Sequence, residues 1–396
     1  MILVDEKLVL KISFKIPKSL ALSLYDFSLK KSDCYEINTV IEESTYIIIR
    51  MGKDILRAER QNDIESKSME KLLFRIKRDS DFNYLLENPS AINISEYNAE
   101  SLNDKLWYTI NSNSNSDKSL FINKEDYFIC QYDIIKFGNI KYIVKEITIE
   151  NVPKEINFEF YPSIQTYYFS KNNDENGKEI ICEICNKSEC NEDNPIVKFC
   201  SCNYIHFNCL KDKISKSTYT KENEKVKNYY INHLKCGTCD YIFPIHFKLG
   251  EKQYDLIKIE KPSTDSQIDY IILESIEKKI FYGYMKLIHV IQFKNDEPIK
   301  IGRKNDNNDV IICDPSVSKE HAYFKYDKNK KSILIKNISN KFGTSVFIKN
   351  GKNFIKEDEE IQIQTGRIMF KAQKIKMKKF NEFKKKYKTK YPLPNK

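Results

Sequence analysis

Cysteine and histidine residues recur in four close pairs between residues 182 and 239 of this chain. Thiolate and imidazole groups are the ligands that structural zinc prefers, and a tetrahedral site takes four of them. Two ligands separated by one or two residues can chelate one ion from a single tight turn. This spacing therefore predicts two Zn²⁺ ions, held by Cys182, Cys185, Cys200, Cys202, His206, Cys209, Cys236 and Cys239.

Disulfide bonds or ordinary buried thiols are the alternative explanations for these cysteines. Structural disulfides need an oxidising compartment and are typical of small secreted domains. The chain has 396 residues, and Asp5, Glu6 and Lys7 interrupt its first apolar run, so we expect no secretory signal there. Zinc binding is therefore favoured. Cys190 lies within the region but fits no pair, and it is predicted to be a spare thiol.

The composition favours packed domains with well-solvated surfaces. Hydrophobic residues make up 41% of the chain and charged residues 31%. No run reaches the roughly eighteen apolar residues that a membrane helix needs, so we expect a soluble protein of the cytoplasm or the nucleus. Part of the net charge of +10 lies in the lysine-dense residues 371–396. Such a run can attract nucleic acid or an acidic partner, but a solvated tail is the favoured interpretation.

Short apolar runs between polar turns predict mainly β structure on both sides of the cysteine-rich region. Before it, Leu8 to Ile16 is predicted as a strand and Ser66 to Arg78 as a helix. Within it, Lys211 to Asn228 is predicted as a helix and an exposed loop, and the regular runs after it predict a β-sandwich. We expect five segments: an N-terminal β-rich domain at residues 1–150, a linker at 151–178, a zinc finger at 179–250, a second β domain at 251–375 and a basic tail at 376–396.

The order of the ligand pairs resembles that of the RING-CH, or variant RING, zinc finger. That family carries Cys-x2-Cys, Cys-x-Cys, His-x2-Cys and Cys-x2-Cys, and here His206 takes the fifth place among the ligands. The resemblance implies a cross-brace, in which the first and third pairs share one ion and the second and fourth pairs share the other. It also implies that the finger positions a charged ubiquitin-conjugating enzyme, with Ile184 as the apolar contact and no catalytic nucleophile of its own.

Three departures from the RING-CH pattern bear on this activity. Only three residues separate Cys202 from His206, where the family usually has more. The family's tryptophan after the third pair is missing, and Asp240 follows the last ligand, where active ligases often carry a basic residue. The sequence therefore leaves two roles open for the finger, ubiquitin transfer and a purely structural role for zinc.

Further motifs follow residue 298. They are Gly-Arg, Ser-x-x-His and a Gly-Thr pair, at Gly302 and Arg303, Ser318 and His321, and Gly343 and Thr344. Their order resembles that of the forkhead-associated (FHA) domain. The resemblance implies a β-sandwich whose loops, at one end, bind phosphothreonine peptides. By this resemblance, structural roles fall to Gly302, His321, Gly343 and Thr344.

The charged and hydroxyl groups of these motifs suit phosphate recognition. The planar guanidinium of Arg303 can hold two phosphate oxygens, Ser318 can donate a hydroxyl hydrogen bond, and Lys319 adds positive charge. Phe342 replaces the asparagine that usually holds the peptide backbone, and the neighbouring Lys341 is predicted to contact phosphate in compensation. An FHA-like scaffold that binds no phosphopeptide is the alternative.

The N-terminal β region resembles a degenerate FHA sandwich. Residues 132–144 resemble the closing strands of such a sandwich, and residues 360–370 would have that role in the C-terminal domain. Residues 1–150 show no Gly-Arg or Ser-x-x-His pair at usable spacing, so we expect no phosphate site there.

The succession of a β domain, a RING-CH-like finger and an FHA domain resembles a family of ciliate proteins that carry both modules. It predicts a ubiquitin-ligase-like protein that selects a phosphorylated protein partner through the FHA domain and recruits a conjugating enzyme through the finger. The main alternative is a non-enzymatic, phospho-dependent adaptor. A zinc finger that binds nucleic acid ranks last, because the finger lacks an obvious basic reading helix.

Overall fold

Short β-strands make up about half of the residues that the computed structural model of this protein describes, and a single α-helix lies among those residues. The mainly β fold class predicted from the sequence is thus confirmed. The structure describes residues 8–18, 28–41, 45–48, 57–60, 72–78, 84–88, 102, 105–110, 127–149, 166–167, 179–232, 234–262, 268–276, 286–294, 296–303, 307–349, 354–355, 360–366 and 368–376.

Ten strands lie between residues 8 and 147 in the part of the chain that the structure describes, and β-branched and aromatic residues are frequent in them, as expected for pleated sheets. A short 3₁₀ turn, Lys31–Asp33, lies between the first two strands. The strands are β1 Leu8–Pro17, β2 Cys34–Ile41, β3 Thr45–Ile48, β4 Arg57–Arg60, β5 Leu72–Arg78, β6 Tyr84–Glu87, β7 Trp107–Ile110, β8 Tyr127–Phe128, β9 Ile134–Phe137 and β10 Ile140–Ile147.

Strand β5 occupies most of the segment for which a helix was predicted, Ser66 to Arg78, so that prediction was wrong over residues 72–78. Phe74 and Ile76 are fully buried, whereas the alternate residues Arg75 and Lys77 are more exposed. A burial period of two is that of a strand. In the sequence, the clustered apolar residues of this segment are compatible with the period of a helix and with that of a strand. Residues 66–71 of the predicted helix lie outside the described part of the chain.

The described residues between 166 and 255, a segment that contains the cysteine-rich region, form seven short strands and helix α1, Phe207–Lys216. The rest of the stretch predicted as helix and exposed loop forms the hairpin of β14 and β15 instead, and its Val226 and Asn228 are buried. The strands are β11 Thr166–Tyr167, β12 Ile196–Val197, β13 Ile205–His206, β14 Thr218–Glu222, β15 Val226–Ile231, β16 His246–Leu249 and β17 Lys252–Asp255.

The described residues from 270 onward form ten more strands, and these repeat the order of the first ten. Hairpin β1–β2 has its counterpart in the eighteenth and nineteenth strands, and the later strands correspond in order. One difference is that the fourth strand pairs antiparallel with the third, whereas the twenty-first pairs parallel with the twentieth. They are β18 Tyr270–Ser275, β19 Lys286–Gln292, β20 Ile299–Gly302, β21 Val310–Ile311, β22 Ala322–Asp327, β23 Ser332–Asn337, β24 Thr344–Phe347, β25 Phe354–Ile355, β26 Glu360–Thr365 and β27 Ile368–Lys376.

The two repeats exchange their last three strands. One five-stranded sheet has the order β21-β20-β22-β23-β8 and the other β4-β3-β5-β6-β25, so each takes its fifth strand from the other repeat. The exchange is also seen in the twelve-stranded sheet. There the hairpin β9–β10 of the N-terminal repeat lies between β24 and β18 of the C-terminal repeat, and the hairpin β26–β27 of the C-terminal repeat lies between β7 and β1 of the N-terminal repeat. The full order of this sheet is β14-β15-β19-β18-β10-β9-β24-β7-β26-β27-β1-β2. Residues 360–370, expected to close the C-terminal sandwich, therefore close the N-terminal one.

The exchanged strands contribute to the core of the sandwich that they enter. Phe137 packs edge-on against Phe324, with ring centroids 6.3 Å apart, in the C-terminal sandwich. Phe370 stacks on Phe74 at 4.6 Å in the N-terminal sandwich. Since fully buried aromatic rings contribute several kcal/mol of stability (roughly 3–5 on replacement by alanine), each sandwich depends on the other repeat.

The cysteine-rich region packs on the outer face of β18 and β19. Ile272 and Ile288 of these strands belong to the same apolar cluster as Leu210 and Ile214 of α1 and Phe247 of β16. Strand β15 also pairs with β19 over residues 226–231, which extends the twelve-stranded sheet. The finger and the C-terminal sandwich thus share a core and a sheet. Within the described residues, no helix is long and apolar enough to cross a membrane.

A buried histidine links the finger hairpin to the sheet. His289 of β19 is fully buried, and its Nδ1 lies 2.7 Å from Asn228 Oδ1 of β15. Its Nε2 lies 3.1 Å from the hydroxyl of Tyr142 on β10. Burial lowers the pKa of His289 to about 3, so the neutral ring donates from Nδ1 and accepts at Nε2.

We expect the free energy of unfolding to fall as the pH drops below about 6.5, the ordinary histidine pKa. The unfolded chain then binds a proton that the folded His289 excludes down to a pH of about 3. The contribution is about 1.4 kcal/mol per pH unit in that window. Urea unfolding of the wild type and His289→Gln at pH 7.5, 6.5 and 5.5 should show a shallower pH dependence for the variant. Equal slopes for the wild type and His289→Gln would contradict this assignment.

Candidate metal centres and phosphopeptide site

The first and third ligand pairs meet in one cluster. The ligand atoms of Cys182, Cys185, His206 and Cys209 all lie within 4.8 Å of one another. Cys182 and Cys185 bracket a turn, His206 ends strand β13, and Cys209 lies in the first turn of α1. Four soft ligands at this separation have the number and the spacing of a tetrahedral metal site.

The ring of His206 is oriented by the backbone. Its Nδ1 faces the thiols, 3.2 Å from Cys185 Sγ and 4.0 Å from Cys209 Sγ. Its Nε2 lies 2.7 Å from the carbonyl oxygen of Glu189 and can donate its proton there. A hydrogen bond of this kind fixes the tautomer in which Nδ1 is free to bind a metal.

The second and fourth pairs form the other cluster. Cys200, Cys202, Cys236 and Cys239 also place their sulfur atoms within 4.8 Å of one another. Cys236 is buried, whereas Cys239 is exposed. The two clusters therefore alternate along the chain, in the arrangement that the resemblance to the RING-CH finger implied.

Both Cys-x2-Cys turns end in a residue with left-handed backbone conformation. Asn186 follows the first turn with a φ of 56°, and Asp240 follows the last with a φ of 60°. The Asn186 N–H donates to the carbonyl of Cys182 at 2.9 Å, and the Asp240 N–H donates to that of Cys236 at 3.2 Å. Asparagine and aspartate tolerate this conformation better than most residues, so the local sequence suits the ligand-bearing turns.

Hydrogen bonds from backbone N–H groups lower the pKa of two of the thiols. Burial raises the pKa of Cys182, but the hydrogen bonds from the backbone of His206 and Cys185 outweigh it, and the pKa is about 7. The N–H groups of Cys239 and Thr238 lower the pKa of Cys236 to about 6. Both thiols are thereby closer to the thiolate form, which is the metal ligand.

Ile184 lies between the first two ligands and is 41% exposed. The neighbouring Ile181 is also exposed, at 47%. Each of these two side chains thus exposes apolar area next to a ligand of the first cluster in the sequence. Cys190, the thiol that fitted no pair, belongs to neither cluster and is half-buried.

Strand β20 presents the Gly-Arg motif at the other site. A Cβ on Gly302 would lie 2.0 Å from the carbonyl oxygen of Lys319, so only glycine fits this position. The Arg303 N–H donates to the carbonyl of Ser318 at 2.8 Å. Among the described residues, no carboxylate forms an ion pair with Arg303, which is half-buried. The backbone of Arg303 and the Ser318 loop are thus held together.

His321 shapes the loop that carries Ser318. Its Nδ1 accepts a hydrogen bond from the Ser318 N–H at 3.0 Å, and its Nε2 donates to the carbonyl of Gly343 at 2.9 Å. Burial lowers the pKa of His321 to about 4, although the Gly343 carbonyl opposes the shift. The neutral ring therefore ties two loops together, which agrees with its predicted structural role.

The remaining predicted residues lie on or beside these loops. Lys319 is exposed next to Ser318, and Lys341 is exposed with its Nζ 5.2 Å from the ring centre of Phe342. Gly343 has a φ of 66°, and the buried Thr344 donates from Oγ1 to Asn337 Oδ1 at 3.1 Å.

Two residues of this site had no role assigned to them from the sequence. Asn308 donates from Nδ2 to the carbonyl of Lys319 at 2.6 Å. Ser339 Oγ lies 2.8 Å from Ser318 Oγ, so the two loops also meet through their hydroxyl groups. Asn308 stands within the predicted motif region, but nothing in its local spacing indicates that it reaches across to residue 319.

Comparison with known protein families found a match in the C-terminal part of the chain. The family model described as FHA domain matches residues 299–369. No RING-CH model matched, so that resemblance stays a prediction. Comparisons with curated proteins and with solved structures found no match. Residues 299–369 therefore carry an FHA domain, and this domain implies phosphothreonine-dependent binding of a protein partner.

Proposed function

We propose that this protein binds phosphothreonine-containing partners through Arg303, Ser318 and Lys319. The observation that carries the proposal is the hydrogen bond from the Arg303 backbone N–H to the Ser318 carbonyl, which holds the backbone of Arg303 against the loop of Ser318 and Lys319. It supports the proposal because a guanidinium, a hydroxyl and an ammonium group then belong to two adjoining segments. These groups donate hydrogen bonds and add positive charge, as a phosphate dianion requires. Lys341 adds a further cation on the adjacent loop.

Binding of a phosphorylated peptide to the full chain tests this proposal. Fluorescence polarisation should be measured with a phosphothreonine peptide library and with the same peptides carrying threonine or phosphoserine. We expect binding of selected phosphothreonine peptides and no saturable binding of the threonine forms. Equal binding of the two forms, or no binding of any phosphothreonine peptide, would contradict the proposal.

We further propose that the two ligand clusters hold two Zn²⁺ ions. The residues fit this ion, because seven thiols and one imidazole form two groups of four with ligand atoms within 4.8 Å. Thiolate-rich tetrahedral sites favour zinc over hard cations such as Mg²⁺. Four protein ligands complete the tetrahedron, so the ions would stabilise the fold and leave no position for substrate.

Ubiquitin transfer is a second candidate function, favoured by the exposed apolar surface of Ile181 and Ile184 beside the first cluster. An exposed isoleucine pair of this kind suits contact with a conjugating enzyme. Against it, Asp240 stands where active relatives of the RING-CH type often carry a basic residue, and Lys235 forms an ion pair with its carboxylate. A non-enzymatic adaptor with structural zinc is the alternative.

Discharge of ubiquitin from a panel of charged conjugating enzymes distinguishes the two. If the finger is a ligase, the full chain should accelerate discharge for at least one enzyme, and Ile184→Ala should remove the acceleration. Ile338→Ala is the matched control, because Ile338 is also 41% exposed but lies outside the finger. Absence of acceleration with every enzyme would leave the adaptor function.

A further inference from the structure

The turn between β9 and β10 lies against the base of the phosphopeptide site. This turn consists of Gly138 and Asn139 and belongs to the N-terminal repeat. The Asn139 N–H donates to Ser316 Oγ at 2.8 Å. The Gly138 N–H donates to the carbonyl of Gly343 at 3.3 Å. One turn thus contacts both loops of the site.

The approach of Gly138 to Ser316 leaves no room for a side chain. A Cβ on Gly138 would lie 2.5 Å from Ser316 Oγ and 2.6 Å from the Ser316 carbonyl oxygen. The second of these atoms is backbone, so the loop itself would have to move. Gly138 also has a φ of 59°, which disfavours other residues.

The contacted atoms connect directly to the groups that would bind phosphate. Ser316 lies two residues before Ser318 and is held by Asp314, whose Oδ1 accepts from the Ser316 N–H at 2.9 Å. The Gly343 carbonyl also accepts the hydrogen bond from His321, which in turn orients the Ser318 N–H. A shift of the turn would therefore move Ser318 relative to Arg303.

We propose that Gly138 and Asn139 are positioning residues of the phosphopeptide site, supplied to the FHA domain by the N-terminal repeat through the exchange of strands β8–β10. This inference rests on the proposed phosphothreonine binding. The phosphopeptide site is then built from both repeats, and the N-terminal repeat sets its affinity without contacting the peptide.

Replacement of two glycines in the full chain separates positioning from general strain. Gly138→Ala and Gly250→Ala introduce the same methyl group at similar φ values of 59° and 58°. Only the methyl at residue 138 collides, since nothing lies within 4 Å of a Cβ at Gly250. We expect Gly138→Ala to lose about tenfold or more in phosphothreonine peptide affinity, and Gly250→Ala to keep the wild-type affinity.

A spectroscopic readout and a second variant keep the test decisive. In protein labelled with ¹⁵N-serine, the Ser318 amide resonance should shift in Gly138→Ala and stay in place in Gly250→Ala. If Gly138→Ala does not fold, Ser316→Ala removes the hydroxyl that Asn139 contacts, and it should still weaken peptide binding several-fold. Wild-type peptide affinity in a folded Gly138→Ala variant would overturn the inference. If that variant does not fold, wild-type affinity in Ser316→Ala would overturn it instead. In both cases the proposed phosphothreonine binding would stand. Failure of the wild type to bind would overturn the proposed function and this inference together.

Discussion

Replacement of Cys236 by serine is expected to remove one metal ion and to destabilise the finger. Cys236 is buried and belongs to the second cluster, with Cys200, Cys202 and Cys239. Zinc binding contributes about 10–16 kcal/mol of apparent free energy in small fingers, so loss of a ligand should cost several kcal/mol. The destabilisation should reach the C-terminal sandwich, because β15 of the finger pairs with β19. Elemental analysis should find about one zinc per chain, and thermal unfolding should begin at a lower temperature.

Cys190→Ser is the matched control for this prediction. It replaces a half-buried thiol in the same region that belongs to neither cluster. We expect this variant to keep two zinc ions and the wild-type unfolding temperature. If Cys236→Ser and Cys190→Ser were indistinguishable in metal content and stability, the second cluster would not be a metal centre.

Replacement of Arg303 by alanine is expected to abolish most phosphothreonine binding. A hydrogen bond to a charged group contributes about 1.5–3 kcal/mol, and a guanidinium can make two such bonds to one phosphate. A loss on the order of 100-fold in affinity follows from about 2.7 kcal/mol. Calorimetric titration of the best phosphothreonine peptide with the wild type and the variant measures this loss.

Two further variants distinguish the shape of the Arg303 side chain from its charge. Arg303→Lys keeps the charge but loses the planar fork, so we expect an intermediate affinity. Lys325→Ala removes one positive charge from an exposed position on β22 and should leave the affinity near that of the wild type. A similar small effect for Arg303→Ala and Lys325→Ala would show that net charge alone attracts the peptide.

The metal clusters could be anticipated from the sequence because their geometry is largely local. Cys182 and Cys185 share one turn, and so do Cys236 and Cys239, so spacing alone brings the members of each pair together. The choice of which pairs combine came from the resemblance to a family, since spacing leaves several combinations open. The close approach at Gly302 was likewise predictable only through its motif.

The exchange of strands could not be predicted from the sequence. The closing hairpins of the two repeats have similar patterns, with a glycine in the left-handed conformation at Gly138 and at Gly366. Both hairpins therefore fit both sandwiches, and the pairing depends on contacts between residues far apart in the chain, such as Phe370 with Phe74. The contribution of Gly138 to the phosphopeptide site was missed for the same reason.

Local composition also misled the interpretation of two segments. Lys211 to Asn228 is rich in charged residues, which favoured a helix and an exposed loop. Strand β15 is nevertheless buried, because the apolar Val226 and Ile231 face cores supplied by distant strands. Residues 72–78 likewise form a strand because of tertiary contacts, since their apolar residues are compatible with both a helix and a strand.

Native mass spectrometry of the intact chain is the most direct test of the two metal centres. We expect the mass of the 396-residue chain plus two zinc ions, with both ions released together with finger structure when a strong chelator is added at neutral pH. A folded chain without bound metal, or a mass lowered only by the hydrogens lost on disulfide formation, would contradict this account of the cysteine-rich region.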